Sequence, residues 1–310
     1  MPTLRIRPLL PAAAVIALTA TTSSCARSTS STSAGAAAAA EHVHPVEAPG
    51  AMTAGAAQST ALPAGAADVA QRLASSPRHA EWATIRSGND SVRAWVVYPE
   101  RRDRAPVIVV IHEIFGLTSW VRGVADQLAA DGFIAIAPDL LTGKLTGNPD
   151  SVGMDEGRRL VSQLNADDVQ RQLAAVGQYG MRLPAALPRY AVIGFCWGGS
   201  TSFQHAVRSP AGLAAAVVYY GASPPAAQLA SVRVPVLGLY GGDDARVDAT
   251  VPPADSAMRA LGKPFEHHTY EGAGHGFLRA QDGKNGANMA ATRQAWPTTV
   301  AFLRRYLGGA

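Results

Sequence analysis

From Glu81 onward the chain alternates short apolar runs with longer amphipathic ones. "SVRAWVVYP" (91–99) reads as an early strand, paired with another near 82–86. "PVIVVIH" (106–112) is a continuous β-branched run, the pattern of a strand buried on both faces. "SWVRGVADQLAADG" (119–132) has helical spacing and stops at Gly132, and "FIAIAPDL" (133–140) is the next buried strand. A helix is expected within 155–179, then the strand "RYAVIGF" (189–195), a helix over 197–207 and the strand "AAAVVYYG" (214–221). "VPVLGLYGG" (234–242), a helix near 252–261, the strand "PFEHHTY" (264–270) and a helix over 289–307 complete the series. Strand and helix in regular alternation predict an α/β domain over 70–310, with a mostly parallel central sheet covered by helices on both faces.

The first part of the chain has a different character. Arg5 and Arg7 precede the apolar stretch Leu9 to Ala20, which is too short to span a bilayer comfortably and reads as an export signal over residues 1–25. It ends at Thr22-Ser-Ser-Cys25, which resembles a bacterial lipoprotein cleavage box with Thr22 in place of the usual aliphatic residue, so Cys25 is a lipidation candidate. Residues 26–69 are rich in Ser, Thr, Ala, Gly and Pro and almost lack large apolar side chains, the composition of a disordered tether. His42 and His44 lie within it without a third ligand nearby and read as solvated linker residues. The protein is therefore expected to be exported, as a periplasmic, membrane-anchored or secreted protein.

Charge changes little. The formal net charge is +4, with no dense Lys/Arg block, which argues against nucleic acid as a partner. Cysteine usage changes more. Only Cys25 and Cys196 exist, so the folded domain holds one thiol and no internal disulfide. A lone thiol packs well in a core, but in an exported chain it is also a candidate for reactivity.

In doubly covered parallel sheets, ligands gather at the carboxyl ends of the strands. Four predicted strands end on groups suited to acid, base or nucleophile chemistry: Glu113, Cys196, the pair Asp243 and Asp244, and His275. Gly194-Phe-Cys-Trp-Gly198 is G-x-C-x-G between a strand and a helix, where hydrolases place the G-x-S-x-G nucleophile elbow. The helix that follows would favour a thiolate at its N-terminus. Ser200, the nearby hydroxyl, lies off the apex. The order Cys196, Asp, His275 is that of the α/β-hydrolase nucleophile, acid and histidine. Asp244 is favoured over Asp243 by the D-x-x-V spacing of "GGDDARV", while His267 and His268 lie inside a strand and read as packing or solvated residues.

"HEIFGL" (112–117), "APDLL" (137–141), "GFCWGG" (194–199), "YYG" (219–221), "GGDDARV" (241–247) and "GAGHGF" (272–277) together resemble the dienelactone hydrolase family, in order and spacing. The resemblance implies an α/β-hydrolase fold and a Cys196–His275–Asp244 triad that opens esters or lactones without metal or cofactor. It implies that Glu113 contacts the resting cysteine and shifts on substrate binding. The backbone N–H groups of Ile114 and Trp197 become the oxyanion hole, and Arg279 the holder of a substrate carboxylate. A second family arginine corresponds loosely to Arg158 or Arg159. The exported tether and Trp197, where a smaller aliphatic residue is commoner, depart from the family. The expected ligand is a small-molecule ester or lactone. The alternatives are a peptidase or acyltransferase on the same fold, or a tethered binding module that does no chemistry.

Overall fold

The structure is a computed structural model that describes residues 62–308. The expected export signal, Cys25, His42, His44 and most of the expected tether lie outside the described residues. Among those described, the strands are β1 (Ala80–Ser87), β2 (Asp90–Val97), β3 (Ala105–Ile111), β4 (Ile134–Asp139), β5 (Ala186–Phe195), β6 (Leu213–Tyr219), β7 (Val236–Gly241) and β8 (Phe265–Tyr270). The helices are α1 (Val69–Ala74), α2 (Ser119–Ala130), α3 (Met154–Ser162), α4 (Ala166–Met181), α5 (Trp197–Arg208), the single turn α6 (Ala245–Asp248), α7 (Val251–Ala260) and α8 (Ala287–Leu307).

One sheet runs in the order β1-β2-β4-β3-β5-β6-β7-β8. The β1/β2 and β2/β4 pairs are antiparallel and the others parallel. The strand β3 shows why the middle of the sheet reads as a continuous apolar run. Its side chains alternate between two cores: Ile108 and Val110 face the cluster of α2 and α8, and Val107, Val109 and Ile111 face that of α4, α5 and α7. All seven residues of β3 are buried.

The expected architecture is present, with local differences that include the unanticipated helix α1. The helix anticipated within 155–179 is two helices. Asn165 breaks it by accepting from the backbone N–H of Asp167 and Asp168, which caps α4. A one-turn helix, α6, follows directly on Asp244. Residues 62–69, read as the end of a disordered tether, are packed on the domain: Ala64 and Val69 are buried, and the Gln281 side chain donates to Pro63 O at 2.9 Å. Their small side chains dock by close approach, a mode that a scarcity of large apolar residues conceals.

Candidate active site

Cys196 sits on the turn between β5 and α5 with φ 57° and ψ −116°, a left-handed conformation that is costly for a residue with a Cβ. Its neighbours show why the turn is rich in glycine. A Cβ on Gly194 would stand 1.9 Å from Gly198 O, and one on Gly198 would stand 2.4 Å from His112 O. The thiol therefore projects from the sheet's carboxyl edge on a turn that only these glycines permit.

The loops after β7 and β8 are pressed together in the same way. A Cβ on Gly241 would meet Ala273 O and Gly274 O at 2.6 Å, and the Asp243 N–H donates to Ala273 O at 2.9 Å. Asn288 braces the second loop by accepting from Gly274 N at 2.9 Å. The consequence is a direct contact: His275 Nδ1 lies 2.5 Å from Asp244 Oδ2. A carboxylate only accepts, so Nδ1 carries the proton and Nε2 is left as the basic nitrogen. Asp244 is buried, whereas Asp243 is half exposed and pairs with Lys284 Nζ at 3.1 Å. Of the two carboxylates, the structure brings Asp244 to the histidine.

A cavity of about 680 Å³ joins these parts. Cys196, Asp244, His275, Glu113, Ile114, Trp197 and Arg279 all line it, as does Ser200. His267 and His268 instead lie on the edge strand β8, near Asp255 and Glu266 respectively. Of the two arginines left open by sequence, Arg158 lines the cavity and Arg159 faces Glu156 at 3.7 Å.

Glu113 is buried, and its Oε2 lies 3.0 Å from Arg279 Nε, off the direction of a hydrogen bond. Burial pushes the Glu113 carboxyl up to about 7, against the opposing pull of Arg279. Burial also pushes the Cys196 thiol up to about 11, helped by the negative charge of Glu113 and opposed by the Trp197 backbone N–H and by Arg246. The thiol at rest is thus protonated, and the helix N-terminus does not outweigh burial. Arg279, expected at a substrate carboxylate, is here paired with Glu113 and stacked over Phe115, with 5.1 Å from Cζ to the ring centre.

Three residues of the site escaped sequence reasoning. His112 is fully buried between Leu140 N, from which Nε2 accepts at 3.2 Å, and Glu113 O, to which Nδ1 donates at 2.6 Å. It fixes the backbone that carries Glu113 and Ile114. Tyr220 has φ 39°, meets the His275 ring edge-on at 5.2 Å, and carries a buried hydroxyl without a partner among the described residues. Arg246 lines the cavity two residues after Asp244. All three lie within the quoted motifs "HEIFGL", "YYG" and "GGDDARV", but none carries a spacing rule of its own.

The profile of the dienelactone hydrolase family matches residues 92–307. A protein of Saccharolobus solfataricus, provisionally named carboxymethylenebutenolidase, is 30% identical over 252 residues, covering 71% of this chain and 96% of its own. A Salmonella typhimurium protein of the same provisional name is 30% identical over 273 residues, covering 81% and 98%. A crystal structure of a provisional dienelactone hydrolase from Klebsiella pneumoniae superposes with a TM-score of 0.66 at 28% identity, covering 74% of this chain and 99% of that one.

Proposed function

This chain belongs to the dienelactone hydrolase family, and on that premise we propose that Cys196 is the nucleophile of a hydrolase acting on carboxylic esters or lactones through a thioester. The observation that carries the reading is the short His275–Asp244 contact, which orients the imidazole in the cavity that also holds the strained cysteine.

The steps follow from the groups present. The neutral Cys196 thiol gives its proton to His275 Nε2 as Sγ attacks the substrate carbonyl carbon. The carbonyl oxygen becomes an oxyanion, met by the backbone N–H groups of Ile114 and Trp197. The Trp197 amide already favours negative charge on Sγ, which supports its placement here. Collapse breaks the ester C–O bond, and the departing alkoxide takes the proton from His275. A lactone leaves its alcohol attached to the acyl group. Water then attacks the thioester, giving a proton to His275; the carboxylic acid departs, and Sγ regains its proton. Asp244 holds the imidazole and stabilises its charged form throughout.

Glu113 modulates the thiol. As an anion it discourages thiolate formation at rest, where it is paired with Arg279, and its displacement as substrate binds removes that restraint. Arg279 is in turn proposed to meet an anionic group of the substrate. The character of residues 1–25 supports export, so the substrate is proposed to be met outside the cytoplasm, with Cys25 as the lipid-anchor candidate.

Hydrolysis of a panel of lactones and short esters, with Cys196→Ala as the blank, tests the reading. Turnover by the wild type and its loss in a folded Cys196→Ala protein are expected; near wild-type turnover in that variant overturns the nucleophile assignment.

A further inference from the structure

The segment before β1 is tied to the rim of the active-site cavity. The Ala66 N–H donates to the backbone carbonyl of Arg279 at 2.8 Å. The Gln281 side chain spans from Leu278 O to Pro63 O. A Cβ on Gly65 would stand 3.4 Å from both Arg279 O and the Gln281 side chain, so the two stretches are in close contact. At the other end of the segment, Val69 seats in a notch of α2 at Gly123, where a Cβ would be only 2.2 Å from Val69 Cγ2. Ala66, Val69 and Ala70 also wall a second cavity of about 370 Å³, which shares Phe115 and Arg279 with the first. The stacked Arg279–Phe115 pair is therefore the partition between two spaces, and residues 63–69 hold one side of it.

We infer that residues 63–69 form a strap that positions Arg279 at the cavity wall and so sets the enzyme's preference for anionic reactants. The profile match begins at residue 92, downstream of this strap. The inference shares Arg279 and Cys196 with the proposed function but does not depend on any ester being the substrate.

The test uses two alkylating reagents of the same reactivity class, iodoacetate and iodoacetamide, which differ by one negative charge. In the full-length protein, Cys196 displaces iodide from each, and peptide mass spectrometry at Cys196 gives the two rates free of Cys25. The rate ratio of anionic to neutral reagent reads the position of the Arg279 charge. Arg279→Ala should lower this ratio and sets the floor. Ala66→Pro removes the donor to Arg279 O while occupying the second position of the Gly65–Asp68 turn, where proline is favoured, and should lower the ratio about threefold, the scale of one lost hydrogen bond. Val69→Ala, which loosens the strap at Gly123, should lower it in the same direction and serves if Ala66→Pro fails to fold. Ala66→Pro in an Arg279→Ala background should have no further effect, which a general loss of structure would not reproduce. An unchanged ratio in the folded strap variants overturns the inference. So does a wild-type ratio equal to that of Arg279→Ala, or a Cys196 that neither reagent reaches. Normal ratios without ester turnover would count against the proposed function alone.

Discussion

Asp244 and Asp243 are adjacent in the chain but face opposite environments: Asp244 meets His275 Nδ1 at 2.5 Å from a buried position, and Asp243 turns out to Lys284. The one-turn helix α6 begins at the residue after Asp244, which turns the chain at that point. Asp244→Asn should therefore lower kcat far more than Asp243→Asn. An asparagine amide can hold the wrong imidazole tautomer, and for a serine triad such a change costs about 10⁴-fold. Comparable losses in the two variants, measured as kcat on one ester, would move the role to Asp243.

The glycines of the Cys196 turn should be intolerant for a packing reason. Gly198→Ala puts a Cβ 2.4 Å from His112 O and 2.5 Å from Ile111 O, both backbone atoms of the neighbouring strand end. A destabilisation of about 1–3 kcal/mol or more is expected in urea unfolding. Gly153→Ala is the control: nothing lies within 4 Å of its added Cβ and its φ is −75°, so stability should stay within about 0.5 kcal/mol.

The glycine contacts also explain what could be read from sequence and what could not. β3 announces itself because two cores take alternate residues of one apolar run, and Cys196 does so because its flanking glycines have a steric task. Glu113, Cys196, Asp244 and His275 converge because parallel strands end at one edge, so strand ends alone suffice to nominate them. Arg246 and His112 are different. Their places depend on how the loops after β7 and β3 fold, and no local period encodes that. The break before α4 rests on one side chain, Asn165, in a stretch already polar. Residues 62–69 were read as tether because hydrophobic patterning is blind to docking through Ala64, Gly65 and backbone hydrogen bonds.

Away from the active site, His205 is buried between two partners: Nδ1 lies 2.7 Å from Gln170 Oε1 and Nε2 lies 2.9 Å from the Tyr190 hydroxyl. An amide oxygen only accepts, so Nδ1 carries the proton and Tyr190 donates to Nε2, leaving a neutral ring. Burial lowers its pKa to about 4 from an unfolded value near 6.5. The unfolded chain thus binds a proton that the folded one refuses between these values. Stability from this group is complete above pH 6.5 and is lost as pH falls toward 4, by roughly 3 kcal/mol in all. His112, also buried with a lowered pKa, adds to the same trend. Urea unfolding across this range should show a steeper loss in wild type than in His205→Gln. Parallel slopes would show that His205 does not contribute to the acid sensitivity.

Glu113 should leave a pH signature on the thiol. Its carboxyl titrates at about 7, and its negative charge is one cause of the raised Cys196 pKa. Below that value the carboxyl is neutral and exerts little repulsion; above it the anion opposes thiolate formation. Glu113→Gln removes the charge without removing the bulk, so iodoacetamide should alkylate Cys196 faster in the variant than in wild type above pH 7. The two rates should converge as pH falls below 7, because there wild-type Glu113 is itself uncharged. Arg279, freed from its partner at 3.0 Å, adds to the effect in the same direction. Ester turnover should nevertheless slow in the variant, since Arg279 then lacks the charged partner that holds it at the cavity wall before substrate binds. Alkylation rates that match at every pH would reduce Glu113 to a structural carboxylate. A slower variant above pH 7 would instead make it a proton acceptor for the thiol.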